Sequence, residues 1–168
     1  VNTKSTNSRD WMEVKAYDPK VQIDKLLPFK DFFAVFGRED GLCCVWLMNP
    51  NEEDWRKIDF PEMTYSVWVG ANYVYTSDVL RLGYSSLITP KLTGEDNMKT
   101  MYENILKTQE LSDYNPDLYD TKRIYCTSRD GRQIPISVVY KKSVFGGSES
   151  LGGNVPVLAK SLPLLLYG

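Results

Sequence analysis

The sequence predicts a mainly β protein, and three observations support this prediction. Short runs rich in β-branched and aromatic residues alternate with turn residues from residue 11 to residue 110. The stretch WMEV at residues 11–14 returns as WRKI at residues 55–58, 44 positions later. Residues 121–142 alternate two sets of side chains on both sides of an Asp-Gly pair. Alternation of period two places each set on one face of a strand, as in a sheet.

The segment 121–142 gives the clearest local prediction, a β-hairpin. Its turn is expected at residues 129–132, where the sequence reads RDGR. The pair Asp130-Gly131 is typical of a two-residue turn in which both central residues have positive φ. Pro135 has no N–H to donate, so the second strand should have a free edge at that point.

A unit of four strands is predicted in the first part of the chain. Residues 21–29, 31–36 and 42–48 have strand composition, the Trp55 stretch adds a fourth, and the sequence GREDG at residues 37–41 predicts a hairpin turn. Four strands in about 40–45 residues is the blade period of a β-propeller. Two copies of a four-residue pattern make a weak repeat, so the residues alone leave a propeller and another β fold equally open.

A second unit is expected over residues 63–110, with its clearest strands at residues 64–69 and 79–88. Its last part, residues 96–109, is ambiguous. Local periodicity predicts a helix with Asp96 as its N-terminal cap. Five side chains at helical spacing support the helix: Met98, Met101, Tyr102, Ile105 and Leu106.

The composition of the chain changes after residue 110. Residues 111–120, LSDYNPDLYD, are polar with a central Asn-Pro, which predicts a linker and a domain boundary. After the hairpin, the glycine-rich residues 143–163 predict a long mobile loop. The final LLLYG, residues 164–168, is typical of a strand buried on both faces.

Composition and charge exclude several classes of function. Hydrophobic residues make up 42% of the chain and charged residues 25%, as in a soluble globular protein. The net charge of -2 leaves no basic footprint for nucleic acid. No apolar run reaches the roughly 18 residues of a membrane span, and the N-terminus has no signal-peptide pattern. The missing initiator Met suggests a piece of a longer chain.

The cysteine and histidine content limits the chemistry that the chain can perform. Cys43, Cys44 and Cys126 are an odd set with one adjacent pair and not a disulfide framework, and no N-glycosylation acceptor is present. Both observations favour a reducing, cytoplasmic setting. The chain has no histidine, so it can complete neither a Ser-His-Asp triad nor an imidazole zinc site. We therefore assign no catalytic, cofactor-binding or metal-binding residue within residues 1–168, and expect no cofactor.

Several segments resemble functional motifs but have simpler interpretations. Residues 146–150, GGSES, miss the Gly-x-Ser-x-Gly elbow at its last glycine and lack the strand and helix around it, so a flexible loop is expected. Residues 147–153 lack the Gly-Lys-Ser/Thr of a phosphate loop. Cys43-Cys44, flanked by apolar residues, is expected to pack in a core rather than act as a redox pair.

The remaining candidates are aromatic and charged residues. Four tryptophans spread over separate strands are expected in the core rather than on a binding platform: Trp11, Trp46, Trp55 and Trp68. Arg81, near Tyr84, suits an interdomain contact or an ion pair within a blade. Residues 52–54, EED, and Asp18 are expected to be solvated turn residues rather than paired catalytic carboxylates.

Four stretches together resemble oligopeptidase B, of the prolyl oligopeptidase family of serine peptidases. They are REDGL at residues 38–42, LRLGYSSLITP at 80–90, RDGRQIPISVVY at 129–140 and PLLLYG at 163–168. Their order and spacing match across nearly all of the chain, although the loop at 143–163 looks longer than the family's connection.

The resemblance implies a seven-bladed β-propeller that caps an α/β-hydrolase domain. It implies that residues 1–111 form approximately the last two blades, 112–120 a hinge, and 121–168 the first strands of the truncated catalytic domain. It also implies that residues 91–109 form two strands around a turn at residues 98–100, in place of the helix. We follow the family here over the helical periodicity.

The resemblance further implies hydrolysis of short peptides after Lys or Arg, with the propeller restricting substrate size. The partners are then basic peptides and the remainder of the same polypeptide. In the family the residue after Gly168 is a tyrosine that helps hold the oxyanion, and the nucleophile elbow, the triad Asp and His and the specificity acids follow later. The chain alone is therefore expected to be inactive. The alternative is a catalytically dead β-rich binding module.

Overall fold

The computed structural model describes residues 7–11, 13–50, 54–100 and 103–144. These residues form three antiparallel sheets and three short 3-10 helices at Ser8–Asp10, Pro116–Leu118 and Lys142–Val144. The strands are β1 (Val21–Pro28), β2 (Phe33–Glu39), β3 (Leu42–Asn49), β4 (Asp54–Lys57), β5 (Tyr65–Val69), β6 (Val79–Ser86), β7 (Leu92–Asn97), β8 (Glu103–Thr108), β9 (Tyr119–Thr127) and β10 (Gln133–Lys141). The first sheet has the order β1-β2-β3-β4, the second has the order β5-β6-β7-β8, and β9 and β10 form a hairpin.

The first sheet contains the four predicted strands, but its turn is shorter than predicted. Glu39 pairs with Leu42, so only Asp40 and Gly41 connect β2 to β3, with φ values of 49° and 76°. Two positive φ values are the mark of a type I′ hairpin turn. Gly37, predicted to belong to the turn, lies within β2, where an added Cβ would approach the Gln22 carbonyl oxygen to 2.1 Å.

The second sheet shows that the helix suggested by periodicity over residues 96–109 is wrong. Described residues of that segment form the end of β7 and all of β8, as the family resemblance implied. The Asn97 side chain accepts hydrogen bonds from the backbone N–H groups of Lys99 and Thr100, at 3.0 and 2.9 Å, which turns the chain. The pairing of β7 with β6 then overrides the local helical pattern.

The two four-stranded sheets share one apolar core. Alternate residues of β2 and β3 point into it, including Phe36 and its cross-strand partner Val45. The second sheet contributes Leu80, Leu82 and Tyr84 from β6. The period-two pattern therefore packs the sheets face to face, with each sheet's other face directed outward.

The outward face of the first sheet carries a smaller cluster of Val35, Cys44 and Trp46. The Lys15 ammonium lies 5.7 Å from the ring centroid of Trp46 and 4.7 Å from that of Trp55. Among the described residues before β1, the chain forms a 3-10 helix at Ser8–Asp10 and no strand, so Trp11 lies outside the described strands. The Trp repeat therefore does not mark equivalent strands.

The hairpin β9–β10 is confirmed, but its predicted turn type is wrong. The Ser128 N–H donates to the Arg132 carbonyl at 2.8 Å, which closes a loop of three residues. In that loop only Gly131 has a positive φ, 82°. The Asp130 carboxylate accepts hydrogen bonds from the Ser128 hydroxyl and the Arg132 N–H, so Asp130 acts as a side-chain acceptor and not as a left-handed residue.

The segment between the second sheet and the hairpin is partly ordered by local capping. Asn115 caps the 3-10 helix Pro116–Leu118 through its side chain, and β9 begins at Tyr119. The proposed divisions at 1–111, 112–120 and 121–168 stay a prediction. The loop at 143–163 lies almost wholly outside the described residues, and the glycine-serine motifs and the final LLLYG lie entirely outside them. Within the described ranges, no helix is long and apolar enough to cross a membrane.

Candidate functional site at the junction of the sheets and the hairpin

One end of both sheets faces the hairpin, and we call it the junction. Because successive strands run in opposite directions, four connections lie at this end: Asp40-Gly41, residues 58–64, residues 87–91 and residues 109–118. Cross-strand partners in the hairpin, Arg123 and Ser137, make hydrogen bonds to the first two of these connections. The junction is therefore the place where all three sheets meet.

The Glu62 carboxylate organises the junction. It accepts hydrogen bonds from the hydroxyls of Tyr84, Ser86 and Thr89, the Ser86 bond at 3.2 Å. The Ser86 oxygen also accepts from the backbone N–H groups of Ile88 and Thr89, at 3.1 and 2.8 Å. The LRLGYSSLITP stretch thus supplies three hydroxyls to one carboxylate. Because these amide bonds and the Glu62 contact occupy the Ser86 hydroxyl, it is a structural group rather than a nucleophile.

Aromatic rings pack the hydrogen-bond network of Glu62 against the apolar core. Phe60 stacks on Tyr84 with centroids 5.2 Å apart and planes 10° apart, and Tyr65 lies 5.5 Å from Tyr84 at a tilt. Burial raises the pKa of Tyr65 to about 12, so this phenol stays protonated at neutral pH. Tyr84 is 2% exposed, which makes Glu62 the acceptor that satisfies a buried hydroxyl.

A second group of tyrosines ties the connecting segment to the junction. Tyr114 donates to the Ile88 carbonyl at 2.5 Å and stacks on Tyr119 at 5.6 Å. Burial and the neighbouring Tyr119 raise the pKa of Tyr114. Tyr140 donates to Asp120 at 2.8 Å, and burial together with this bond raises the pKa of Tyr140 to about 12. These phenols act as donors and not as bases.

A cavity of about 530 Å³ opens between the second sheet and the hairpin. Its walls combine apolar surface from Pro61, Met63 and Ile88 with the acidic side chains Glu62 and Asp120. A smaller cavity of about 220 Å³ lies between the second sheet and residues 58–61 of the connection that follows β4, and it is mostly apolar. Over the described residues, no group of three His, Cys, Asp or Glu side chains is arranged to hold a metal ion.

An ion pair links the two sheets beside the smaller cavity. Asp96 of β7 is 3% exposed, and Arg56 of β4 donates to it at 3.4 Å and to the Met98 carbonyl at 3.4 Å. Burial raises the pKa of Asp96, while the Arg56 guanidinium opposes that rise. Burial and then the charge of Asp96 raise the pKa of Glu103. This ion pair therefore holds the two sheets together and has a structural role.

The charged and cysteine candidates from the sequence have structural roles. Arg81 pairs with Glu95, its cross-strand neighbour in β7, at 2.5 Å, which identifies it as an ion pair within the second sheet. Cys44 is buried beside Trp46, as expected, and Cys43 is half-buried. Asp18 accepts from the Lys20 N–H at 2.9 Å in a turn, also as expected.

The tryptophans divide into two groups. Trp46 is buried and Trp55 half-buried, in agreement with a packing role. The prediction of a core position is wrong for Trp11 and Trp68, which are 60% and 40% exposed. Trp68 lies over Gly83. A Cβ added at Gly83 would be 2.1 Å from the Trp68 ring, so only glycine at this position leaves space for the partly exposed indole. Glu52 and Glu53 lie outside the described residues.

The sequence did not identify Glu62, Asp96 or Tyr114 as functional candidates. Glu62 stands alone in a Pro-Glu-Met stretch, and only its distance from the later hydroxyls, known after folding, reveals its role. Local periodicity interprets Asp96 only as a helix cap, whereas the residue lies in β7. Tyr114 lies in a polar linker, where the Asn-Pro signal concealed a specific hydrogen bond.

Comparison with known proteins agrees with this architecture. A family model described as the prolyl oligopeptidase N-terminal β-propeller domain matches residues 1–109. The chain belongs to the prolyl oligopeptidase family, also called S9. Relatives of this family are serine peptidases. The S9 match covers both four-stranded sheets and stops before the hairpin.

Individual S9 relatives agree with the family match. The chain is 33% identical to dipeptidyl aminopeptidase BI of Pseudoxanthomonas mexicana over 158 residues, which is 93% of this chain and 21% of the relative. It is 27% identical to protease 2 of Moraxella lacunata, over 94% of this chain and 21% of the relative. The chain thus spans about a fifth of the length of these relatives.

A solved structure resembles the fold over most of the described chain. Oligopeptidase B from Trypanosoma brucei, with covalently bound antipain and in its closed form, matches with a TM-score of 0.70 and 27% identity. The match covers 78% of this chain and 20% of that protein. The sequence-based resemblance to oligopeptidase B is therefore confirmed at the level of the family and of the propeller-like fold.

Proposed function

We propose that the chain is part of a serine oligopeptidase that hydrolyses short peptides after Lys or Arg in the cytoplasm. Residues 1–111 are approximately the last two blades of a seven-bladed propeller, and residues 121–168 begin an α/β-hydrolase domain. The observation that carries this proposal is the family match over residues 1–109, followed from Tyr119 by a hairpin that contacts the turn of the first sheet and the connection between the two sheets. The preference for basic residues is supported by the resemblance to oligopeptidase B.

In this proposal the sheets and the hairpin have separate tasks. The propeller restricts substrate size, and the segment 112–120 is a hinge between the propeller and the catalytic domain. Two features of the structure support a hinge. The segment holds only one short 3-10 helix before β9, and Tyr114 fastens it to the second sheet through one side-chain hydrogen bond. The peptide partners and the rest of the polypeptide then meet at the junction.

A peptidase assay tests the proposal. The 168-residue chain should not cleave a small Arg-amide substrate, because it contains no histidine to complete a triad. The same chain extended with its downstream polypeptide should cleave Arg- and Lys-amides and leave a Pro-amide intact, and a serine-directed inhibitor should block that activity. Inhibitor-sensitive turnover by the 168-residue chain would contradict the proposal, as would a downstream frame without a Gly-x-Ser-x-Gly motif.

A catalytically dead, β-rich binding module is the second candidate. One observation favours it: the two larger sheets already share a continuous apolar core without further polypeptide. The opposing physical argument is that repeat folds usually need about three or more units to bury a core. A monodisperse monomer that melts cooperatively would favour the binding module.

A further inference from the structure

The hairpin and the sheets are held together differently from the two sheets themselves. The sheets share apolar side chains from β2, β3 and β6. Among the described residues, neither apolar cluster includes a residue of β9 or β10. The hairpin reaches the sheets through polar side chains instead, so its attachment depends on a few directional contacts.

Among the described residues, two of those contacts come from one cross-strand pair of the hairpin. Arg123 of β9 and Ser137 of β10 stand directly opposite each other, so their side chains leave the same face of the hairpin. Arg123 donates from Nη2 to the Asp40 carbonyl at 3.3 Å. The Ser137 hydroxyl lies 3.3 Å from the Thr64 hydroxyl. The pair therefore reaches the first sheet's turn and the connection between the two sheets at once.

The type I′ turn makes the first contact possible. Asp40 and Gly41 both have positive φ, and Arg123 Nη2 lies close enough that a Cβ on Gly41 would be 3.7 Å from it. That distance is an ordinary contact, so glycine is favoured at position 41 by its positive φ and not by the nearness of Arg123. Arg123 also lies over the ring of Tyr125, with its guanidinium carbon 5.9 Å from the centroid. Its Nε is buried without a hydrogen-bond partner among the described residues.

We propose that Arg123 and Ser137 form a docking pair that holds the hairpin on the junction. Loss of the Arg123 contact releases the hairpin as a unit, while the two larger sheets stay packed through their own core. The significance for substrate access rests on the proposed function, in which this hairpin begins the catalytic domain. The docking pair itself is a property of the 168-residue chain and is measurable in it.

A disulfide trap tests the docking pair. Thr64→Cys and Ser137→Cys are introduced together with Cys126→Ser, which removes the exposed native thiol on β9. In this background the disulfide should form readily on mild oxidation. Adding Arg123→Gln should slow its formation roughly tenfold, the equilibrium change expected from losing one charged hydrogen bond. Arg129→Gln, which removes an exposed charge from the hairpin loop, should leave the rate unchanged.

A second measurement needs no engineered cysteine. In chains with native cysteines, Arg123→Gln should raise the rate of chymotrypsin cleavage within residues 111–119 by a similar factor, while Arg129→Gln should not. Equal disulfide rates for the two variants, equal cleavage rates, or failure of the cysteine pair to cross-link would each overturn the proposal. Neither readout depends on peptidase activity, so failure of the docking pair is distinguishable from failure of the proposed function.

Discussion

The Glu62 carboxylate satisfies three hydroxyls that the chain brings together only on folding. One of them, on Tyr84, is almost completely buried, and a buried donor without an acceptor costs about 1–3 kcal/mol. Removing this carboxylate should therefore weaken the second sheet more than removing a surface carboxylate.

We expect Glu62→Ala to lower the free energy of unfolding by about 1–3 kcal/mol, because Tyr84 loses its acceptor. Glu62→Gln should cost less, since the amide oxygen still accepts a hydrogen bond. Urea denaturation followed by circular dichroism measures the difference. Glu110→Ala, at an exposed position outside the strands, is the matched control with an equal change of charge. Equal losses for Glu62→Ala and Glu110→Ala would contradict this role.

Glycine is required at position 37 because the backbone of β1 approaches it closely, and not because residue 37 has a positive φ. A Cβ there would lie 2.1 Å from the Gln22 carbonyl oxygen, and that backbone cannot move without breaking the β1–β2 ladder. Gly94 in β7 has its nearest neighbour, the Asn104 carbonyl oxygen, at 3.5 Å, which is ordinary contact. The two glycines therefore form a natural pair for comparison.

Gly37→Ala should destabilise the chain by about 1–3 kcal/mol or more, the usual cost of overpacking. Gly94→Ala should change the free energy of unfolding by much less. Thermal melts of both variants under identical conditions check this. If both substitutions lower the melting temperature equally, steric closeness at Gly37 is not the deciding factor.

At the scale of elements, the ion pair between Arg56 of β4 and Asp96 of β7 makes the stability of the folded chain depend on pH. Burial raises the pKa of Asp96, so the folded state binds this proton more tightly than the unfolded chain does. The carboxyl group therefore favours folding most below the pKa of an unfolded Asp, about 3.9, and this contribution is lost as pH rises through the raised value. Arg56 opposes the rise in the pKa of Asp96, while burial and then the charge of Asp96 raise the pKa of Glu103.

Asp96→Asn should remove this pH dependence, because the amide does not titrate but still offers Arg56 an oxygen. The free energy of unfolding of the native chain, minus that of the variant, should fall as pH rises above about 4 and then become constant. Denaturant titrations across this range give the difference. Asp117→Asn, on the exposed 3-10 helix, is the control. A difference that grows with pH would reverse the predicted sign.

The strands of the two larger sheets were predictable because their side chains alternate and their compositions favour β structure. Residues 42–48, for example, became β3 nearly unchanged. Turn types were not predictable from the Asp-Gly pair alone. The pair at 40–41 forms the type I′ turn, whereas the pair at 130–131 lies in a longer loop in which Ser128 and Arg132 bind Asp130. The neighbouring side chains decided between the two.

The helix suggested over residues 96–109 failed for a physical reason. The edge strand β8 carries apolar side chains on both faces, Ile105 and Leu106, so its sequence imitates helical spacing. The site at the junction could not be predicted from the sequence. Glu62 and its hydroxyl donors are 22 to 27 residues apart, and no local pattern joins them.

For the whole molecule, the two larger sheets form one body and the hairpin is a lightly attached second element. The described sheets leave the outer edges of β1, β4, β5 and β8 without a paired strand. Unpaired edges that carry apolar side chains promote pairing with another chain. With a net charge of only -2, long-range repulsion does little to prevent it.

We therefore expect the isolated 168-residue chain to self-associate, with β8 as a main contact. Ile105 is 63% exposed, and Leu106 on the opposite face of the strand is exposed as well. The double substitution Ile105→Glu and Leu106→Glu should weaken association roughly tenfold or more, because two apolar side chains leave the contact. Sedimentation velocity over a range of concentrations measures this.

The control for this experiment is Thr108→Glu with Gln109→Glu, which adds the same charge at the end of the strand without removing apolar surface. If both double variants dissociate equally, charge repulsion and not the apolar edge controls association. If neither does, the contact lies elsewhere, and the outward face around Trp46 and Trp55 becomes the next surface to test. A chain that is monomeric at every concentration would show that the two sheets and the hairpin need no further polypeptide, which favours the binding module over the peptidase.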